Sequence, residues 1–181
     1  MARKWHKEYM SQFLNPQQLV NQLKITQGMK IADFGCGSGN ITVVLGRLVG
    51  QTGEVIAIDI QTAKLESVKS RAQLENLNNI RLVRANLEKI NSSKLADNSV
   101  DLVLLANILF QSPNQKAVIQ EAERVVKKNG RMVVVDWQPG AKIGPETPFR
   151  TTPQKIKQMV GLKFEKEIPA GQYHFGLIFK K

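Results

Sequence analysis

Residues 30–40 read KIADFGCGSGN, and this stretch decides the fold. An apolar run from Lys30 to Phe34 breaks at Gly35-Cys36-Gly37-Ser38-Gly39, and a helical pattern opens at Asn40. Three alternate glycines remove Cβ atoms where the backbone must turn tightly and a ligand must approach the main chain. The helix start beyond them carries unpaired N–H groups and a partial positive charge, suited to a carboxylate or phosphate. The next β-branched run, Glu54 to Ile60, holds Asp59, twenty residues past Gly39. In open α/β sheets ligands bind at the carboxyl ends of the strands, where a carboxylate can accept hydrogen bonds from ribose hydroxyls. Loop and acid together read as a nucleoside site.

Outward from this core the chain alternates strands with helices. Periodicity predicts helices over Pro16–Lys24, Asn40–Val49, Thr62–Glu75 and Gln115–Lys127, and strands over Lys30–Phe34, Glu54–Ile60, Ile80–Ala85, Val100–Leu105 and Arg131–Asp136. Such alternation means parallel pairing with helices on both faces, a doubly wound α/β fold. The runs VIAIDI, DLVLLA and MVVVD are continuously apolar, as strands buried on both sides should be. Asn15 before Pro16 reads as a helix N-cap, and Asn129-Gly130 after the basic Arg124–Lys128 turn reads as a helix end. Residues 137–149 are rich in Pro and Gly and read as a loop. A short helix over Pro153–Val160 follows, then strands over Lys163–Ile168 and Tyr173–Phe179 around a Pro169–Gln172 turn. The expected architecture is therefore a mostly parallel sheet closed by an antiparallel hairpin.

The 181 residues are 42% apolar and 23% charged, close to the globular average, which argues against a disordered or fibrous chain. This length suits one domain, expected to run over 1–181, and can bury a core without metal or disulfide staples. The lone Cys36 cannot form an internal disulfide. No apolar run approaches the roughly 20 residues of a spanning helix, and MARKWHKEYMSQ has no apolar stretch of the signal-peptide kind after it, so a cytoplasmic protein is expected. The net charge of +11 is concentrated at the termini: five basic residues against one acidic in 1–30, seven against two in 150–181. A basic rim could steer an anionic substrate or nucleic acid. With few aromatics and no RNA-binding motif, solvation of Lys-rich ends is the plainer reading.

The dinucleotide fingerprint G-x-G-x-x-G places its third Gly where this chain has Asn40. Asp33 lies inside the motif, where it would repel a pyrophosphate but could hold an amino group. A ligand with a ribose, an α-carboxylate and an ammonium, and no phosphate, fits better, and S-adenosylmethionine is such a ligand. At this point the sequence resembles the class I S-adenosylmethionine-dependent methyltransferases, and more narrowly the small relatives of the ubiquinone/menaquinone-biosynthesis type. The resemblance runs over about residues 14–181 through GMKIADFGCGSGN, EVIAIDI, NIRLVRANLEKI, SVDLVLLANILFQSP, ERVVKKNGRMVVVDWQP and the closing YHFGLIFKK. It implies a seven-stranded Rossmann-like sheet with the last strand antiparallel. It also implies cofactor contacts from Asp33, Phe34, Gly35, Cys36, Gly37, Ser38, Gly39 and Asn40 at the methionine end. Asp59 and Ile60 would hold the ribose and flank the adenine, Asn86 and Leu87 would meet the adenine, and Ala106 and Asn107 would lie by the sulfur. Where the family often has an Asp accepting from the adenine amino group, this chain has Asn86, whose amide oxygen could accept without the charge-assisted share.

Methyl transfer from a sulfonium needs an in-line nucleophile, and a general base only where the acceptor is protonated. No dedicated catalytic residue is required. The candidates are Asn107, which opens an Asn-Ile-Leu-Phe run with the ends but not the prolines of the amino-directed Asn-Pro-Pro-Tyr motif; His6 and Tyr9, in a 1–13 segment that could close as a lid with Trp5 as cover; and Tyr173 and His174 at the hairpin start. Trp137 could line the acceptor pocket. Against each stands ordinary packing or solvation. Cys36 reads as a small filler, and neither His6 nor His174 has metal-ligand spacing, so no metal is expected. The expected function is methyl transfer to a small-molecule acceptor. RNA or protein methylation, a non-catalytic binding protein and an NAD-dependent oxidoreductase are the alternatives.

Overall fold

A computed structural model describes residues 14–144 and 150–181. The lid candidates Trp5, His6 and Tyr9 lie outside the described residues. Helix α1 spans Pro16–Asn21, and β1 spans Lys30–Phe34. Then follow α2 (Asn40–Val49), β2 (Glu54–Asp59), α3 (Thr62–Leu74), β3 (Ile80–Arg84) and β4 (Val100–Ala106). A 3-10 turn at Leu109–Gln111 leads to α4 (Gln115–Val125), β5 (Val126–Trp137), α5 (Pro153–Met159), β6 (Lys163–Pro169) and β7 (His174–Lys180). Among the described residues the sheet has seven strands, in the order β3-β2-β1-β4-β5-β7-β6. Strands β1 to β5 pair in parallel, and β7 is antiparallel to both β5 and β6. The doubly wound sheet with its closing antiparallel strands is the one that the alternating apolar runs imply.

Side chains alternate along each strand, so the sheet builds a core on each face. One face packs Ile31, Leu102, Leu104, Val133 and Ile178 against Leu19 and Leu23 near α1 and Leu45 and Val49 of α2. The other packs Phe34, Ile58, Val103, Leu105 and Leu177 against Ile119 and Val125 of α4 and Ile156 of α5. Asn15 does cap α1, its side chain accepting from the Gln18 N–H at 3.0 Å. Among the described residues no helix is long and apolar enough to cross a membrane.

The structure corrects the boundary after α4. That helix ends at Val125, not Lys127, and Asn129-Gly130 lies inside β5 rather than beyond a helix. Val126 is fully buried and extended, and pairs with Val100 before the register shifts to Leu102↔Arg131. Asn129 takes φ 65°, and a Cβ on Gly130 would meet the Asp101 carbonyl oxygen at 2.9 Å. The Asn-Gly pair therefore makes an irregularity within the strand. Helix α1 is also shorter than its pattern: it ends at Asn21 with Gln22 as its C-cap, and Lys24 beyond it takes φ 49°.

Candidate functional site

Parallel register brings Asp33 and Asp59 to the carboxyl edge of neighbouring strands. Asp59, 9% exposed, accepts from the Gly37 N–H through Oδ2 at 3.0 Å and from the Gln61 N–H through Oδ1 at 2.9 Å. The acid closing β2 thus clasps the glycine loop of β1. Gly35 and Cys36 donate their N–H groups to the Ile58 carbonyl, at 2.8 and 3.0 Å. Loop position is fixed by backbone hydrogen bonds, which is why side-chain identity there is free to shrink to glycine.

Asp33 is 2% exposed and accepts from Thr42 Oγ1 at 2.6 Å. Burial pushes its pKa up to about 6, opposed by the Thr42 bond and assisted by the nearby Asp59 charge. Gly37 has φ 53°, and among the described residues a Cβ there would meet nothing within 4 Å. Gly35 is different: a Cβ would strike the Ile108 side chain at 2.7 Å. Gly39 is the N-cap of α2, with φ 84° and no side-chain capping bond, so the first turn of the helix keeps its N–H donors. Burial and the Asp33 and Asp59 charges raise the Cys36 thiol far above its ordinary range, which keeps it a packed, protonated filler.

A cleft of about 280 Å³ at this edge is lined by Gly35, Asp59, Ile60, Gln61, Asn86, Leu87, Glu88, Ile108, Gln111 and Ser112, with Ala85 and Val118. A larger one, about 700 Å³, lies around Glu54 and Asn79, at the amino ends of β2 and β3. The smaller cleft is the one where the topology places ligands. Five of the expected cofactor residues line it: Gly35, Asp59, Ile60, Asn86 and Leu87. Asn86 Oδ1 accepts from the Glu88 N–H at 3.0 Å, closing a turn on its own backbone. Sequence reading missed Gln61, Glu88, Ile108, Gln111 and Ser112. For Gln61, Glu88 and Ile108 the signal available was their position shortly past a strand end, whereas Gln111 and Ser112 arrive on the 3-10 turn.

Asn107 follows β4 with φ 55°; its N–H donates to the Val135 carbonyl at 2.9 Å, while its buried Oδ1 has no partner among the described residues. Asp136, 1% exposed, accepts from the N–H groups of Phe110 (3.1 Å) and Trp137 (2.8 Å), tying the 3-10 turn to β5. Burial raises its pKa to about 6. Across the β5–β7 pair Trp137 faces His174, their rings 4.3 Å apart. His174 is 3% exposed, and among the described residues neither ring nitrogen has a hydrogen-bond partner. Burial, reinforced by Arg150, lowers its pKa to about 4, so the ring is neutral. Tyr173 contributes its carbonyl to the Gln138 N–H at 2.7 Å.

A family model described as a methyltransferase domain matches residues 25–168. The chain belongs to the class I S-adenosylmethionine-dependent methyltransferases. It is 30% identical over 165 residues to a demethylmenaquinone methyltransferase of Staphylococcus aureus (strain MRSA252), covering 91% of this chain and 60% of the relative. It is 30% identical over 125 residues to one of Oceanobacillus iheyensis, covering 69% of this chain and 51% of the relative. The methyltransferase chain thus spans little more than half the length of these relatives. Among solved structures, a SAM-dependent methyltransferase from Aquifex aeolicus superposes with a TM-score of 0.83 at 23% identity, covering 94% of this chain and 90% of that one. The residues present fit the family's cofactor. The glycine loop leaves open space where a Cβ of Gly37 would stand, beside one carboxylate at the end of each of two strands.

Proposed function

We propose that this chain transfers the methyl group of S-adenosylmethionine to a small, quinone-related acceptor, working as a single methyltransferase unit. The observation that carries the reading is the clasp of Asp59 on Gly37 beside the open Gly37 face. The bound cofactor would supply an electrophilic methyl on a sulfonium sulfur. Asp59 has two oxygens with about four lone-pair sites, of which the backbone uses two, so it retains capacity for the ribose hydroxyls. Asp33 would hold the ammonium, and the α2 amino end the carboxylate. Phe34, Ser38 and Asn40 complete the loop, and Ala106 and Asn107 would border the sulfur.

The two demethylmenaquinone methyltransferase relatives support a quinone-type acceptor. So does the corner at the carboxyl end of β5, where Trp137 and the neutral His174 combine an aromatic face with unused hydrogen-bonding capacity. His174 would serve there as the hydrogen-bonding group for an acceptor hydroxyl. The test is incubation of the purified chain with methyl-labelled S-adenosylmethionine and a reduced, demethylated naphthoquinone. Labelled methylquinone is the expected product. Cofactor binding with no transfer to any quinone would refute the acceptor class.

A further inference from the structure

We infer that Glu121 of α4, acting through Ser92, is a positioning residue for one wall of the cofactor cleft, an inference that rests on the reading of that site above. Residues 85–99, between β3 and β4, form neither helix nor strand, yet they supply that wall through Asn86, Leu87 and Glu88. Glu121 is fully buried beneath them. Its Oε2 accepts from the Asn91 N–H at 2.8 Å, and its Oε1 accepts from the Ser93 N–H at 3.1 Å and from the Ser93 hydroxyl. Arg124, one turn further along α4, donates to the carboxylate through Nε at 3.0 Å and Nη2 at 2.8 Å. The same guanidinium donates to the Leu95 carbonyl at 2.8 Å. Ser92 stands between the two amides that Glu121 holds, and its hydroxyl donates to the Asn86 carbonyl at 2.6 Å. A relay thus runs from a carboxylate on α4 to the backbone of a residue in the cleft.

The same helix holds a second wall. At its start Gln115 Nε2 donates to the Leu109 carbonyl at 2.8 Å, fixing the 3-10 turn that carries Gln111. Ser112 Oγ then joins the two walls by donating to Glu88 Oε1 at 2.6 Å. A buried ion pair is a weak source of stability, since apolar residues of similar volume often serve as well. What the carboxylate adds is acceptance from two particular amides, one of them on Asn91, whose φ of 64° lies in the left-handed region. It therefore specifies a backbone path that the sequence of the segment does not specify by itself. A ligand that needs the wall in place binds with an affinity reduced by the fraction of time the wall is there.

Calorimetric titration of the full chain with S-adenosylhomocysteine, paired with amide hydrogen exchange, tests this. Glu121→Gln keeps the side-chain volume and removes the charge and one acceptor. It should weaken binding by about tenfold, as for a wall in place about a tenth of the time. Exchange should quicken over residues 86–95 and stay unchanged over 35–39, a split that general destabilisation would not give. Ser92→Ala leaves the buried pair intact and should weaken binding by about threefold. Ser92→Thr, which keeps the hydroxyl, should bind as the unsubstituted chain does. The double variant Glu121→Gln, Ser92→Ala should bind no more weakly than Glu121→Gln alone, because both act in one relay. Unchanged affinity in the folded single variants, additive losses, or equal quickening over 35–39 overturns the assignment and leaves the methyltransferase reading standing. Should Glu121→Gln fail to fold, the Ser92 pair decides: equal affinities in Ser92→Ala and Ser92→Thr overturn the relay. Failure of the unsubstituted chain to bind the ligand overturns the site reading and this inference with it.

Discussion

At the carboxyl ends of β1 and β2 the buried carboxylates are engaged within the chain: Asp33 by Thr42, Asp59 by the N–H groups of Gly37 and Gln61. Where β7 begins beside the end of β5, Asp136 is engaged in the same way, by the N–H groups of Phe110 and Trp137, but among the described residues both ring nitrogens of His174 stand unpartnered against Trp137. The first region is assembled before any ligand arrives, so a ligand meets fixed groups and little reorganisation is needed. The second carries an uncompensated desolvation cost, of a kind worth about 1–3 kcal/mol per buried group. In our reading the glycine-loop half is preorganised, and hydrogen-bonding capacity is held in reserve by the Asn107 amide oxygen and the His174 ring, toward the acceptor.

The largest expected effect comes from filling the space at Gly37. Gly37→Val should abolish S-adenosylhomocysteine binding by calorimetry, because its side chain enters the open face; the φ of 53° adds a local cost of about 1–2 kcal/mol to stability. Retained affinity would place the ligand elsewhere. Next in size is Asp59→Ala, which should weaken binding by about 1.5–3 kcal/mol, the worth of a hydrogen bond to a charged group. An unchanged dissociation constant in the folded variant would remove Asp59 from the cofactor site.

A pair of variants sharpens the contrast between the regions through pH. Asp33 has its folded pKa raised from 3.8 to about 6, so the folded state binds more protons than the unfolded one between those values, and its contribution to stability falls as pH rises through that window. His174 has its folded pKa lowered from 6.5 to about 4, so here the unfolded state binds more protons and stability rises with pH across the same range. Denaturant titrations from pH 4 to 6.5 should therefore show opposite signs. The stability of the unsubstituted chain relative to Asp33→Asn should decline with pH, and relative to His174→Phe it should increase, each by on the order of 3 kcal/mol. Slopes of the same sign would contradict the contrast. The smallest effect belongs to Cys36→Ala, which should leave cofactor affinity unchanged, since the thiol packs and does not ionise. A loss of affinity there would give Cys36 a direct role.

The glycine loop, Asp59 and the strand order around them are legible in the sequence because they express backbone requirements. Alternate glycines, continuous apolar runs and a carboxylate at a strand end are each forced by local geometry. What stays hidden depends on pairing between distant segments. The bond from Thr42 to Asp33 and the clasp of Asp59 on Gly37 exist only once β1, β2 and α2 are in register. His174 reads as an ordinary solvated histidine until β7 is laid against β5. Lys127-Lys128-Asn129-Gly130 carries helix-ending chemistry, and burial of Val126 beside Val100 overrides it, so β5 begins where the pattern ends a helix. The 3-10 turn that brings Ile108, Gln111 and Ser112 to the cleft has no sequence period to announce it.

The central claim is that the Gly35–Gly39 bend and Asp59 cup an adenosyl sulfonium. Isothermal titration of the purified, folded chain with S-adenosylmethionine tests it most directly. We expect saturable one-to-one binding that disappears in Gly37→Val. A chain that gives no binding heat at millimolar cofactor, or an equal response from Gly37→Val, would contradict it.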